Sequence, residues 1–141
     1  MINKKILILE GGFNEEHEVS LSSSSAVKKV LTNLNVNYKV LRVNPKNFEK
    51  KILKYKNYIC FNALHGPFGE DGQIQKILKQ NKIKFTHSNF KSSKNSFNKI
   101  LTKKIVFKKN ILTPKSKILS LKDLKYEKII EIKKIFKKFV I

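Results

Sequence analysis

Apolar residues run along the chain in two rhythms, and their alternation predicts the architecture. Lys4 to Leu9 (KKILIL) is a nearly unbroken apolar run ending at Gly11-Gly12. It predicts a buried strand, because a strand covered on both faces need not alternate. In the next stretch, SLSSSSAVKKVLTNL, Val27, Val30, Leu31 and Leu34 fall at helical spacing behind several serines that could cap a helix. NYKVLRV predicts a second strand, stopped by Pro45, and Phe48, Ile52 and Leu53 predict a short helix. YICFNAL gives a third strand, Gly72 to Gln80 a helix, IKFTH a short strand and Phe97 to Lys108 a further helix.

Strands alternating with helices imply βαβ units around a parallel sheet. The fold class expected is α/β, an open parallel-sheet, Rossmann-like layer over residues 1–110. Pro114 in KNILTPKSKIL interrupts the pattern, so residues 111–119 read as a linker. A helix from about Leu124 to Lys137 follows, then FVI, which looks like the start of another strand. One helix and three strand residues make an incomplete domain, so residues 120–141 are expected to be the truncated beginning of a second one.

Composition narrows the class. With 141 residues and 40% hydrophobic content the chain can bury a core of its own. No apolar run approaches the ~20 residues that span a bilayer, and the N-terminal apolar stretch is short and ends in Glu10, a poor export signal. A cytoplasmic protein without membrane contact is expected. The single cysteine, Cys60, excludes an internal disulfide and a cysteine-based zinc site. A formal charge of +21 raises nucleic-acid binding. Against that purpose, Arg42 is the only arginine, and the lysines are spread over the whole chain.

Candidate chemistry concentrates after the first and third strands. Ligands of open parallel sheets gather at the strand carboxyl ends where strand order reverses, and a 2-1-3 order brings EGGFNEEHEVSLS beside ALHGPFGEDG. Gly11-Gly12 fits either a close backbone approach to a ligand or a plain tight turn. Glu15, Glu16 and Glu18 precede or open a helix, where the macrodipole favours negative charge, yet three acids exceed what that requires. His17 lies among them without the spacing of a zinc motif. His65 sits at a strand end directly before Gly66, and Asp71 is placed to cap the next helix. A carboxylate and a histidine in one crevice suit a small zwitterion, its ammonium at Glu16 and its carboxylate at His65.

These stretches resemble a known family. GGFNEEHEVSLSS is similar to the N-terminal signature of D-alanine–D-alanine ligases, which are ATP-grasp enzymes, and ALHGPFGEDGQIQ to their second signature. SFNKILTKKI resembles a third conserved stretch and ILTPKSKIL the crossing into the central domain. The resemblance implies a pre-ATP-grasp domain followed by the start of an ATP-grasp domain. It implies that Glu16 orients the first D-alanine, with Val19, Ser20, His65 and Gly66 around that substrate. It implies that Lys99 reaches the phosphates of ATP. Asn98 stands where aspartate is usual, and Glu10 where an apolar or small residue is commoner.

In the family, FVI leads into a lysine-proline step, a loop over the ATP phosphates and the acids that hold magnesium, all beyond residue 141. The resemblance therefore implies an N-terminal portion, inactive alone, of a cytoplasmic enzyme that uses ATP and Mg2+ for peptidoglycan precursor synthesis and is often homodimeric. A free-standing amino-acid-binding domain is the alternative from the residues themselves.

Overall fold

The computed structural model describes residues 5–120, 122 and 125–136. Its elements in chain order are β1 (Lys5–Gly11), α1 (His17–Asn33), β2 (Tyr38–Val43), α2 (Phe48–Ile52), β3 (Tyr58–Asn62), α3 (Gln73–Gln80), β4 (Lys84–Phe85), α4 (Phe90–Phe97), α5 (Lys99–Phe107) and α6 (Tyr126–Phe136). A single 3-10 turn, Leu53–Tyr55, extends α2. The four strands form one parallel sheet in the order β2-β1-β3-β4. The expected α/β class and the 2-1-3 order are both present, with β4 added beyond β3.

Register decides what each sheet face carries. Leu7 pairs with Lys39 and Cys60, and Leu9 with Leu41 and Asn62, so Leu7, Leu9, Leu41, Val43 and Cys60 share one face. That face packs on Phe48 and Ile52 of α2, Ile74 and Leu78 of α3, and Ile83, all nearly or fully buried. The Cys60 thiol belongs to this core, and burial pushes its pKa up to about 12. It stays protonated and unreactive near neutral pH. The opposite face carries Ile6, Ile8 and Glu10 and is packed by α1.

Several local readings are corrected. The serines of α1 do not cap it. The helix starts at His17, Glu16 holds the N-cap position without a side-chain cap bond, and Ser20 and Ser24 are buried inside the helix. The expected helix from Phe97 to Lys108 is preceded by a separate one, α4, capped by Asn89, whose side chain accepts from the Ser92 amide at 3.0 Å. The strand expected over IKFTH pairs only at Lys84–Phe85.

The chain divides into two compact units, Met1–Thr102 and Lys103–Ile141. Residues 111–120 carry no helix or strand. In the second unit α6 buries Ile132, Lys128 pairs with Glu131 at 2.7 Å, and the Lys103 ammonium donates to the Pro114 carbonyl. The FVI segment lies outside the described residues.

Candidate functional site

Because β2 lies on one side of β1 and β3 on the other, strand order reverses between β1 and β3. Their carboxyl ends release the loops 12–16 and 63–72 side by side. Half of the chain's ten acids, Glu15, Glu16, Glu18, Glu70 and Asp71, sit in these loops or the first turn of α1. Acidic charge thus gathers at one place in a chain of otherwise strongly positive charge.

The loops are joined by side chains chosen for it. Ser20, fully buried on α1, accepts from the Gly11 amide at 2.8 Å and donates to the Ala63 carbonyl at 2.7 Å. One hydroxyl therefore links the ends of β1 and β3. Asn14 does the same for the loops above them. Its amide nitrogen lies 2.8 Å from the His65 carbonyl and 3.2 Å from that of Pro67, while its oxygen accepts from the Glu16 amide at 3.0 Å. Reading by residue type missed Asn14. Its signal was an Asn in a turn just before a helix, where such side chains bond backbone two residues on.

The second loop explains its own glycines. Gly66 has φ +68°, and a Cβ there would stand 2.1 Å from Glu16 Oε2. Only glycine admits the Glu16 carboxylate against this backbone. A Cβ on Gly69 would stand 2.5 Å from the Leu64 Cβ. Phe68 holds φ +70°, costly for a bulky residue. Its amide donates to Asp71 Oδ2 at 3.0 Å, and its ring meets Phe48 edge-on at 5.7 Å. Asp71 also accepts from the Gln73 amide at 2.9 Å, so it caps α3 from one position before Gly72. Glu70 accepts from the Gly66 amide at 2.9 Å.

Glu16, Gly66 and Lys99 line one cleft of about 860 Å³, together with Glu70 and the residues from Ser96 to Ile100. Lys99 is the first residue of α5. Asn98 before it caps that helix, its Oδ1 accepting from the Leu101 amide at 2.9 Å. The asparagine thus performs the capping of an aspartate without the negative charge. Val19 is half exposed on α1. The His65 ring belongs to neighbouring cavities, with Nε2 2.9 Å from Ser23 Oγ and Nδ1 3.8 Å from Glu70 Oε1. His17 hydrogen-bonds the Gly12 carbonyl through Nδ1 at 2.8 Å.

Beneath the crevice Glu10 is almost wholly buried. It accepts from Ser24 Oγ at 2.5 Å and Lys28 Nζ at 3.0 Å, and lies 3.6 Å from Arg42, its register partner on β2. Burial alone would raise its pKa. The bonds from Ser24 and Lys28 and the charges of Lys28 and Arg42 outweigh that and hold it below the usual value. Among the described residues no three His, Cys, Asp or Glu side chains gather as a metal site. No described helix is long and apolar enough to cross a membrane.

Fold and site together define an open parallel α/β domain that presents an acid-lined crevice at its switch point. No family model matches the chain. Its relatives are nonetheless consistent: the D-alanine–D-alanine ligase of Pelagibacter ubique (strain HTCC1062) is 48% identical over 115 residues, and that of Wolbachia pipientis wMel 44% over 118. These alignments take in 81% and 84% of this chain but 37% of each relative, so the chain spans little more than a third of their length. The crystal structure of the D-alanine–D-alanine ligase from Bacillus anthracis complexed with ATP superposes with a TM-score of 0.73 at 26% identity, covering 92% of this chain and 44% of that one. By sequence and fold, the chain belongs with the N-terminal part of the D-alanine–D-alanine ligases.

Proposed function

We propose that this chain forms the seat of the first D-alanine in an enzyme that joins two D-alanines at the expense of ATP, for peptidoglycan precursor synthesis in the cytoplasm. The observation that carries this reading is the single cleft onto which Glu16, Gly66 and Lys99 open. Glu16, fixed against the glycine backbone, receives the substrate ammonium. His65, held by Ser23 and Glu70, is one residue from that backbone and serves the carboxylate end. The resemblance assigns Val19 to the seat, and Ser20 acts through the two loops it holds together.

ATP supplies the phosphoryl group that activates the first substrate's carboxylate. Lys99, at the start of α5 and lining the cleft, is the residue of this chain suited to phosphate charge. Magnesium does not fit the described residues, which gather no carboxylate cluster for it. By the resemblance, the 141 residues by themselves are expected to release no ADP, because metal neutralisation carries much of phosphoryl-transfer catalysis. A homodimer is the assembly we propose, by resemblance alone.

Titration of the isotopically labelled chain with D-alanine tests the seat. Saturable shifts of the Gly66 amide are expected, and Glu16→Gln should weaken binding at least about tenfold, the scale of one charge-assisted hydrogen bond. Equal affinity of wild type and Glu16→Gln would refute the assignment.

A further inference from the structure

Two serines of α1 already have tasks: Ser20 holds the ends of β1 and β3, and Ser24 holds Glu10. A third, Ser23, reaches a different target. Its Oγ lies 2.9 Å from Nε2 of His65, 42 positions away in sequence. What a histidine can do for a ligand depends on which ring nitrogen carries hydrogen, and the bond at one nitrogen governs the other.

The surroundings of the His65 ring decide that question. No Lys or Arg lines either of the two cavities that the ring borders. His87, in the larger of them, packs edge-on to Phe61, and desolvation lowers its pKa, so it is neutral near neutral pH. Glu70 is the one fixed charge among these lining residues. Its Oε1 lies 3.8 Å from His65 Nδ1, while its Oε2 accepts from the Gly66 amide.

With hydrogen on Nε2, the Nδ1 lone pair would face this carboxylate, negative against negative. With hydrogen on Nδ1, the N–H dipole points at the carboxylate, and Nε2 becomes an acceptor that needs a donor. Ser23 is that donor. Its hydroxyl can also reverse and accept from Nε2–H when the ring is an imidazolium. A hydrogen therefore stays on Nδ1 in both protonation states. At 3.8 Å the Glu70 contact is too long for a hydrogen bond, so that hydrogen is aimed but not consumed. The His65 side chain is 32% exposed, and Glu70 also lines the Glu16 cleft, which leaves the Nδ1 edge open to a ligand carboxylate.

We propose that Ser23 is a positioning residue of the first-substrate seat. It fixes the His65 tautomer so that Nδ1–H, and not a lone pair, meets the carboxylate of D-alanine. The proposal rests on the seat described above, and Ser23 acts only through His65.

The test has a readout that packing alone would not move. Long-range proton–nitrogen NMR of the His65 ring, at about pH 8.5 where an imidazole is neutral, reports which nitrogen is protonated. Nδ1–H is expected in the wild-type 141-residue chain. In Ser23→Ala, a change that a helix tolerates, the share with Nε2–H should rise. Ser23→Thr keeps the hydroxyl and should restore the wild-type pattern. Affinity for D-alanine should fall about tenfold in Ser23→Ala, the scale of one hydrogen bond to a charged group, and recover in Ser23→Thr. Ethylammonium carries the ammonium without the carboxylate and separates this role from the seat itself. Ser23→Ala should leave its affinity unchanged, whereas Glu16→Gln should weaken both ligands. D-alanine binding indifferent to Glu16→Gln would overturn the seat. Nε2–H in the neutral wild-type ring, an unchanged tautomer in Ser23→Ala, or undiminished D-alanine affinity in that variant would overturn the role of Ser23.

Discussion

The two faces of the sheet are built from different materials. Under α2 and α3 the contacts are mainly apolar, from Leu7, Leu9 and Val43 to Phe48, Ile52, Ile74 and Leu78. Under α1 the buried groups that meet the strand ends are two serine hydroxyls and a carboxylate, each with named partners. Apolar packing is non-directional and tolerates small shifts, whereas a hydroxyl with a donor on one side and an acceptor on the other fixes position. One face therefore supplies most of the stability, and the other sets where the crevice loops stand. Ser20 and Ser24, one helical turn apart on α1, divide that second task between the strand ends and Glu10.

The sharpest way to break this contrast is to damage the apolar face. Phe48 is about 1% exposed and touches the Phe68 ring. Phe48→Ala should cost about 3–5 kcal/mol of stability, through lost burial and the cavity left behind. Denaturant unfolding measures it. In the fraction that stays folded, D-alanine affinity should change little, since Ser20 and Asn14 still hold the loops. A loss below about 1 kcal/mol would mean that this face is not the principal core.

How much of this was legible in the sequence follows from the same contrast. The apolar face announces itself, because β1 and β3 are runs of large apolar residues and α3 repeats Ile74, Ile77 and Leu78 at helical spacing. Strand order and the pairing of the two loops came with it. The polar face was misread, since serines in a row before an apolar pattern look like caps. That they point into the sheet depends on the Gly11 amide and Ala63 carbonyl, which are remote in sequence. α4 was missed for a related reason: FKSSKNSF has few apolar residues, and it forms with a cap from Asn89 and partners in α3. Glu10 was legible as an oddity in a buried strand, but its explanation needed the register that sets Arg42 opposite it and the helix that brings Ser24 and Lys28.

Ser20→Ala probes the polar face directly and should have a smaller effect on stability with a larger one on binding. It leaves the Gly11 amide and the Ala63 carbonyl, both buried, without their shared partner, at about 1–3 kcal/mol. Because those groups end β1 and β3, the loops carrying Glu16 and His65 lose their common anchor. D-alanine affinity should fall by at least about tenfold beyond any loss of folded protein, judged by titration at full folding. Unchanged affinity in stable Ser20→Ala protein would reduce Ser20 to a packing residue.

The smallest expected effect belongs to Glu10, and its sign is set by chemistry. Burial opposes its charge, yet Ser24, Lys28 and Arg42 together hold its folded pKa below the ordinary 4.5. The folded state then binds fewer protons than the unfolded chain in the acid range, so this contribution is fully present above the unfolded value and is lost as pH falls through the folded one. Its size is limited because the side chains of Lys28 and Arg42 are 32% and 67% exposed, which leaves their ion pairs screened by solvent. A net contribution on the order of 1 kcal/mol is expected, mainly from the buried Ser24 bond. Glu10→Gln keeps an oxygen to accept from Ser24 but cannot titrate. As pH falls below about 5 the wild-type stability should therefore drop more steeply than that of Glu10→Gln, the other carboxylates being common to both. Salt should narrow the difference only in part, since it screens Lys28 and Arg42 but not the Ser24 hydrogen bond. Parallel pH profiles for the two proteins would show that the carboxylate beneath the crevice adds nothing through its charge, and that the polar face positions the loops by its serines alone.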